Sequence, residues 1–480
     1  MRGVLLSFVV ALLAACDRTA TRPPASPQTP APVDTTPLTS ALIELANHDL
    51  ARGRWLSAKR RADDALSKDP NNADAHAVLG AAYWLSGDWT ASTAAFTASL
   101  ARDANNFGAA VALGRNLQAA GDLTGAIALQ DRLLAVDPNQ REPLQVKLWS
   151  QYALLDVDGA LTTIDRLFNF VDMADELRPL LLAYAGFLRP LAGRGPLLTF
   201  SGTSGASDLQ IDPTHGSRTS LGALGSEVTR VLLLEFREEA RIHHALADKL
   251  KLRELGKFTP IHITRECAVV VIPELAFGDL KIRDIPAIVD DLTPYTSGEP
   301  PGVMLGRQVL QRIGAITYDL PRATLELQLA APAAPPPGSF AAPLLLLDAH
   351  AFLTPVTTLS IDGSPHTFPV MFGGLYGSSL TITREEYLKS GHLPRALEHL
   401  DDPAVGLQMV WIDGAKIGDA ALSGGLGGLV LAHTPPDQFI DQIRRTISFD
   451  VGGYINGPLY HRVAFTYALS SGKLYLKPRP

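Results

Sequence analysis

The sequence predicts a multidomain chain in which an all-α helical repeat is followed by two mainly-β halves. A 34-residue period marks the helical part, because glycines recur at that spacing from Gly53 to Gly121. A Thr-Tyr pair recurs 149 residues apart, at Thr317 and Thr466, which indicates an internal duplication of the β part. A stretch rich in Pro and Ala, residues 331–343, is predicted to link the two β halves.

Residues 1–16 have the pattern of a secretion signal, with a basic residue, an apolar core and a terminal Leu-Ala-Ala-Cys. This ending resembles a bacterial lipobox, which implies that Cys16 is diacylated and becomes the mature N-terminus. The alternatives are an ordinary signal peptide or a short anchor, although the apolar run is short for a span of about 20 residues. Asp17 resembles the inner-membrane retention signal of enteric bacteria. We expect a lipid-anchored, periplasm-facing protein of the bacterial cell envelope.

Residues 17–38 are rich in Pro, Thr and Ala and are predicted to form an extended tether. Apolar residues make up 46% of the chain, which is enough for several cores, and the net charge of −7 without a basic stripe excludes a nucleic-acid partner. With Cys16 lipidated, Cys267 has no partner within the chain, so no disulfide is expected. Cys267 begins an apolar run and is interpreted as a buried, inert thiol.

Residues 39–193 carry the helical period, and their best unit resembles a tetratricopeptide (TPR) repeat in the spacing of Leu79, Gly80, Tyr83, Gly87 and Phe96. The next unit repeats that spacing with Leu113, Gly114, Leu117, Gly121, Ala126 and Pro138. Small residues let paired helices approach closely, and Asp-Pro-Asn segments end one helix and start the next. The resemblance implies a groove for a protein or peptide. The alternative is a packing platform for the rest of the chain.

Residues 194–330 and 344–480 each resemble a lobe of a retropepsin-like aspartic protease in the order of their segments. Each has an opening hairpin, an apolar strand, and a closing strand, helix and hairpin. The resemblance implies two mainly-β lobes of the pepsin-type barrel. The positions of the family's Asp-Thr-Gly are Glu235-Phe236-Arg237 in the first lobe and Phe372-Gly373-Gly374 in the second. Both lobes are therefore degenerate.

Aspartic protease chemistry needs two carboxylates about 3 Å apart that share a proton. Glu235 and Phe372 supply one carboxylate and one ring, so we expect no catalytic residue. Asp348 lies ahead of the opening hairpin of the second lobe and is an outside candidate. Glu235 with His243 or His244 is a second alternative for acid–base chemistry.

Other sites are not indicated. The segment 201–206 resembles a protease loop but has no Asp, and it is interpreted as part of a flexible, Gly-rich stretch. Gly373-Gly374 and 424–428 are interpreted as turns and a mobile loop, because neither opens a helix after a strand as phosphate-binding loops do. His243 and His244 are adjacent, and adjacent residues do not share a helix face. No metal and no cofactor are expected.

The sequence thus favours a protein- or peptide-binding lipoprotein, a catalytically dead aspartic protease homologue with a TPR interaction domain. Its cleft would lie near Glu235, Phe372, Gly373 and Gly374, where Phe372 makes the surface more apolar. The alternatives are an atypical aspartic endopeptidase and a structural scaffold whose groove is filled by its own segments. The oligomeric state and the pairing of the two lobes stay open.

Overall fold

The computed structural model describes residues 36–212, 217–233, 236–237, 239–261, 263–348, 352–372, 379–391, 407–431 and 451–478. A stretch of packed helices is followed by a mainly-β region with two curled sheets. None of the described helices is both long enough and apolar enough to cross a bilayer. Cys16, Asp17 and most of the predicted tether lie outside the described residues.

The helical stretch is TPR-like: each helix packs on the next, and alternate helices also touch. Its helices are α1 Thr36–Leu50, α2 Trp55–Lys68, α3 Ala73–Ser86, α4 Trp89–Arg102, α5 Phe107–Ala119, α6 Leu123–Val136, α7 Arg141–Leu154, α8 Val157–Leu167 and α9 Arg178–Leu188.

Helix starts follow a common chemistry in this stretch. Side chains of the N-cap residues Asn72, Asp88, Asn106, Asp122 and Asp156 each accept a hydrogen bond from a backbone N–H of the first turn. Such a cap satisfies an N–H group that has no partner within the helix. The periodic sequence therefore places one cap at the start of most helices.

The periodic glycines have two different roles. Gly87 and Gly121 have φ of 82° and 88°, a left-handed conformation that lets the chain turn between helices. Gly80 is a contact residue, because a Cβ there would lie 2.6 Å from Cδ1 of the buried Phe96 ring. The predicted close approach of paired helices is confirmed at this position.

The first β half contains, in chain order, β1 Thr199–Ser201, β2 Ser204–Ile211, β3 Arg218–Leu224, β4 Glu227–Leu232, β5 Phe236–Arg237, β6 Ala240–His243, α10 His244–Lys249, β7 Gly256–Phe258, β8 Cys267–Phe277, β9 Leu280–Asp290, β10 Val303–Met304, α11 Arg307–Leu310, β11 Ala315–Asp319 and β12 Thr324–Gln328.

The second β half contains β13 Phe340–Pro343, β14 Leu345–Asp348, β15 Phe352–Ile361, β16 Phe368–Phe372, β17 Leu380–Thr383, α12 Arg384–Lys389, β18 Leu407–Ile417, β19 Ala420–Leu431, β20 Gly453–Ile455, α13 Gly457–Tyr460, β21 Val463–Ala468 and β22 Lys473–Pro478.

The two halves have the same strand pairing. In the first, β4 pairs in parallel with β10, β10 antiparallel with β6, β6 in parallel with β9, and β9 antiparallel with β8. In the second, β16, β20, β17, β19 and β18 repeat that sequence of parallel and antiparallel pairs. The curl has the same origin in both halves, since β3 also pairs with β8 and β15 with β18. A duplicated topology therefore accompanies the duplicated sequence.

Two segments predicted to be loops belong largely to strands. The segment 201–206 spans the end of β1 and the start of β2, and a Cβ on Gly205 would lie 1.9 Å from the carbonyl oxygen of Phe277. The segment 424–428 lies within β19, where Gly428 pairs with Val410 of β18. At Gly205 the missing side chain serves close backbone approach rather than flexibility. The predicted linker 331–343 also ends in a strand, since β13 pairs with β22.

The helical stretch packs on the second β half. A Cβ on Gly121 would lie 2.5 Å from the carbonyl oxygen of Leu469, and one on Gly87 would lie 3.1 Å from Cγ of Pro369. Trp89 of α4 is buried in one apolar cluster with Met371 of β16. The turns at the periodic glycines therefore rest on the second half, and this surface of the repeat is a packing platform.

Candidate functional site

The two β halves meet where β11 pairs antiparallel with β21. Ile316 pairs with Tyr467, Thr317 with Thr466 and Tyr318 with Phe465. The hydroxyl oxygens of Thr317 and Thr466 are 2.9 Å apart and hydrogen-bonded. Equivalent strands of the two copies thus face each other, and the sequence repeat at 149 residues becomes a direct contact.

Phe372, a predicted site residue of the second half, belongs to an aromatic cluster at this junction. Its ring centroid lies 5.2 Å from Tyr467, 5.6 Å from Phe465 and 6.5 Å from Tyr460, in tilted or edge-on geometry. Edge-to-face pairs of this kind are favourable beyond the area that they bury. Phe372 is partly buried against the core and offers no group that could hold a proton or orient water.

Arg218 of β3 adds a cation to the aromatic cluster. Its guanidinium carbon lies 4.2 Å from the ring centroid of Tyr460 and 5.5 Å from that of Tyr318. This geometry is that of a cation–π interaction. Burial by itself lowers the pKa of Arg218, but the surrounding tyrosines, Tyr460 first and then Tyr467 and Tyr318, favour its charge and raise the pKa overall. The junction therefore holds a permanent positive charge.

Two tyrosines of the junction, Tyr318 and Tyr467, are held in their neutral form. Burial raises the pKa of Tyr318 to about 12, although the charge of Arg218 opposes that shift. Burial also raises the pKa of Tyr467 well above its ordinary value. The Tyr318 hydroxyl donates a hydrogen bond to the carbonyl oxygen of Leu233, at 3.2 Å. Leu233 follows β4 directly, so Tyr318 contacts the backbone just ahead of the degenerate Glu235 position.

The helical stretch also reaches the connection that holds the first degenerate position. The Tyr152 hydroxyl of α7 donates a 2.7 Å hydrogen bond to the buried carboxylate of Glu239, four residues after Glu235. The Tyr152 ring stacks on Tyr184 at 3.9 Å, and the Arg307 guanidinium lies 5.5 Å from its centroid. The helical stretch thus has a fixed contact four residues after the predicted site residue Glu235.

The other predicted site residues are partly within the described chain. Glu235, Gly373 and Gly374 lie outside the described residues, as does Cys16. Asp348 ends β14, where it pairs with Leu353 of β15. On its other side Leu353 pairs with Phe236, so a complete strand separates Asp348 from the first degenerate segment.

Cys267 is a buried free thiol, as predicted. Desolvation is the main cause that raises the pKa of this thiol, which lowers its content of reactive thiolate.

Sequence reasoning missed two groups of side chains. Arg218 and the tyrosines around it come from β3, β11, α13 and β21. The recurring Thr-Tyr pair is the one sequence signal for that group. It was interpreted as evidence of duplication and not of a contact between the two copies. The second group is His243, His244 and Asp291, whose ligand atoms all lie within 4.8 Å of one another, a spacing that could hold a metal ion.

No family model matches this chain, and no curated protein matches it. Among solved structures, a tetratricopeptide repeat protein from Parabacteroides merdae is 19% identical over 32% of this chain and 60% of its own, with a TM-score of 0.29. YrrB, a TPR protein described as having an unusual peptide-binding site, is 19% identical over 31% and 75%, with a TM-score of 0.28. TTC0263, a TPR protein of Thermus thermophilus, is 17% identical over 32% and 84%, with a TM-score of 0.27. Likeness at these values carries no argument about function.

The raised pKa of Tyr318 predicts a loss of stability in alkali. An unfolded tyrosine ionises near pH 10, whereas folded Tyr318 keeps its proton to about pH 12. Its contribution is complete below about pH 10 and disappears as the pH rises through the folded pKa. We expect the free energy of unfolding to fall by about 2 kcal/mol more between pH 10 and 12 in the wild type than in Tyr318→Phe. Denaturant unfolding from pH 8 to 12 measures this difference.

The matched control is Tyr83→Phe, which removes a tyrosine hydroxyl from the helical stretch. Its curve should fall as steeply as that of the wild type. Equal slopes for wild type and Tyr318→Phe would show that the junction does not hold Tyr318 neutral.

Proposed function

We propose that this chain is a membrane-anchored protein- or peptide-binding lipoprotein, a catalytically dead homologue of aspartic proteases with a TPR-like interaction domain. The observation that carries the proposal is the position of Phe372. It ends β16 within an aromatic cluster at the junction of two β halves that share one topology. Phe372 is only partly buried there, and its ring suits holding a chain better than cutting it.

The duplicated topology supports the resemblance to aspartic protease lobes. In both halves the degenerate segment follows the strand that opens the parallel pair, β4 or β16. The antiparallel contact of β11 with β21 places equivalent elements of the two halves face to face. Such an arrangement is what a fused pair of lobes requires.

The endopeptidase alternative uses Glu235 or Asp348 as its acid. Aspartic protease chemistry needs a second carboxylate within about 3 Å of the first. Neighbouring strands lie about 4.8 Å apart, so the backbone of β14, which ends at Asp348, is about 10 Å from that of β5, with β15 between them. This separation disfavours a pair formed by Asp348 with the segment at β5, which is why binding is preferred.

The scaffold alternative has a specific observation in its favour. The helical stretch is packed against both halves, through the turns at Gly87 and Gly121 and through the Tyr152–Glu239 hydrogen bond. These contacts support a platform role for the helices that make them, while the binding role rests on the TPR-like repeat and the junction.

A peptidase assay separates the dead homologue from the atypical enzyme. We expect the purified full chain to leave denatured casein uncut from pH 3 to 8, because Phe372 cannot share a proton with a carboxylate. Mass spectrometry of the incubated substrate checks this result. Cleavage by the wild type that disappears in both Glu235→Gln and Asp348→Asn would establish the endopeptidase instead.

A photo-crosslinking residue at position 372 tests peptide binding at the junction. We replace Phe372 with p-benzoylphenylalanine and irradiate the chain with a pool of random dodecapeptides. Peptides with a shared pattern should become attached, since the junction would accept an extended chain. The control carries the same residue in place of Phe340, an exposed phenylalanine of β13. Equal attachment at both positions would reject a specific site at the junction.

Lipid attachment is tested by metabolic labelling. We expect labelled palmitate in the wild-type chain and none in Cys16→Ser, because the thiol at position 16 would carry the diacylglyceryl group. Membrane fractionation should follow the label. A Cys16→Ser chain that keeps the label would show that the chain is acylated elsewhere.

A further inference from the structure

His243, His244 and Asp291 come together through the fold of the first β half. His243 ends β6, His244 begins α10, and Asp291 directly follows β9. Strands β6 and β9 are parallel neighbours, with His243 paired to Asp290. The ends of both strands therefore lie side by side, and the three ligand atoms all fall within 4.8 Å of one another.

We propose that these three side chains form a binding site for a transition-metal ion of the zinc class. Imidazole nitrogens and a carboxylate suit Zn²⁺, Co²⁺, Ni²⁺ or Cu²⁺, whereas Ca²⁺ and Mg²⁺ prefer oxygen ligands alone. Three protein ligands leave a coordination position open for water or a partner group. The site lies on the first half and does not depend on the function proposed for the junction.

The distances are close to those of a bound ion. Metal bonds of about 2.1 Å in tetrahedral geometry place ligand atoms about 3.4 Å apart. Nδ1 of His243 lies 4.0 Å from Oδ1 of Asp291. His244 and Asp291 are exposed, so small rotations of their side chains can bring the ligand atoms closer without disturbing the core.

The lone pair of His243 Nδ1 is only weakly engaged. It accepts a hydrogen bond from the N–H of Leu292 at 3.5 Å, which is the outer limit for such a bond. The His243 and His244 rings are 4.2 Å apart in edge geometry. An ion between the two rings would therefore compete with one long hydrogen bond.

Asp291 and its neighbour Asp290 have different bonding partners. Asp290 is already bound by Arg241, at 2.7 Å, and by Arg265. Asp291 instead accepts hydrogen bonds from Thr293, which are the main cause that lowers the pKa of Asp291, and the nearby histidines lower it further. Asp291 is therefore a carboxylate at neutral pH, next to the two imidazoles.

The second β half shows what position 243 would hold for structural reasons alone. Thr383 occupies the equivalent N-cap of α12, and its hydroxyl accepts a hydrogen bond from the N–H of Glu386. His243 is the N-cap of α10 with almost the same backbone angles, φ −62° and ψ 134° against −67° and 146°, but makes no capping hydrogen bond. A side-chain cap contributes about 1 kcal/mol. The first half lacks this cap and has an imidazole there instead.

The internal comparison supplies the decisive variant, His243→Thr, which copies the arrangement of the second half. We expect untagged full chain, in detergent, to bind one Co²⁺ or Zn²⁺ per molecule. His243→Thr and Asp291→Asn should each weaken this binding by about tenfold or more. The Tm of His243→Thr should equal or exceed that of the wild type, because threonine can cap α10. Isothermal titration with Zn²⁺, the visible absorption of Co²⁺ and thermal unfolding give the readouts.

His48→Ala removes an exposed histidine of α1 and is the matched control, which should bind like the wild type. Absence of stoichiometric binding, or equal binding by wild type and His243→Thr, would overturn the proposal. So would a loss of binding in His48→Ala, since the ion would then be held elsewhere.

Discussion

Three residue pairs between β11 and β21 make one continuous sheet of the closing hairpins of both halves, with the Thr317–Thr466 hydrogen bond at its centre. A second pairing between the halves joins β5 to β15. The first half adds β2 through β12, and the second adds β13 through β22. Because equivalent strands pair across this contact, Arg218 and Tyr318 of the first half reach the tyrosine rings of the second.

The helical stretch depends on the same body. Its predicted period places a turn every 34 residues, and the turns at Gly87 and Gly121 come within contact distance of the second half. Tyr152 anchors a later helix to the first half through Glu239. Repeats of this kind usually contact only their neighbouring repeats. Here the helices also contact both β halves. Movement between the two halves would therefore have to disturb the packing of the helices.

Much of the architecture followed from the sequence, because periodic glycines, capping residues and recurring pairs act locally. The duplicated Thr-Tyr pair even marked the contact between the halves. The prediction of loops at the Gly-rich segments was wrong for a physical reason. Glycine permits both a flexible backbone and a close approach of two backbones, and only the opposing backbone, such as Phe277 across from Gly205, decides between them. The Arg218 cluster joins distant elements, and no local pattern announces such a contact. His243 and His244 were judged as one helix, although a strand ends between them.

The two halves also differ in the residue that begins their equivalent short helices. Both retain the strand pairing and the short helix after β6 or β17. At the start of that helix the second half has the stabilising cap, Thr383, while the first half has His243 without a capping bond. A residue that does not cap its own helix is tolerated where other interactions stabilise the same half. Here the ion pairs of Asp290 with two arginines and the Tyr152–Glu239 hydrogen bond provide that stabilisation. The first half can therefore carry a chemical group at a position where the second half needs a structural one.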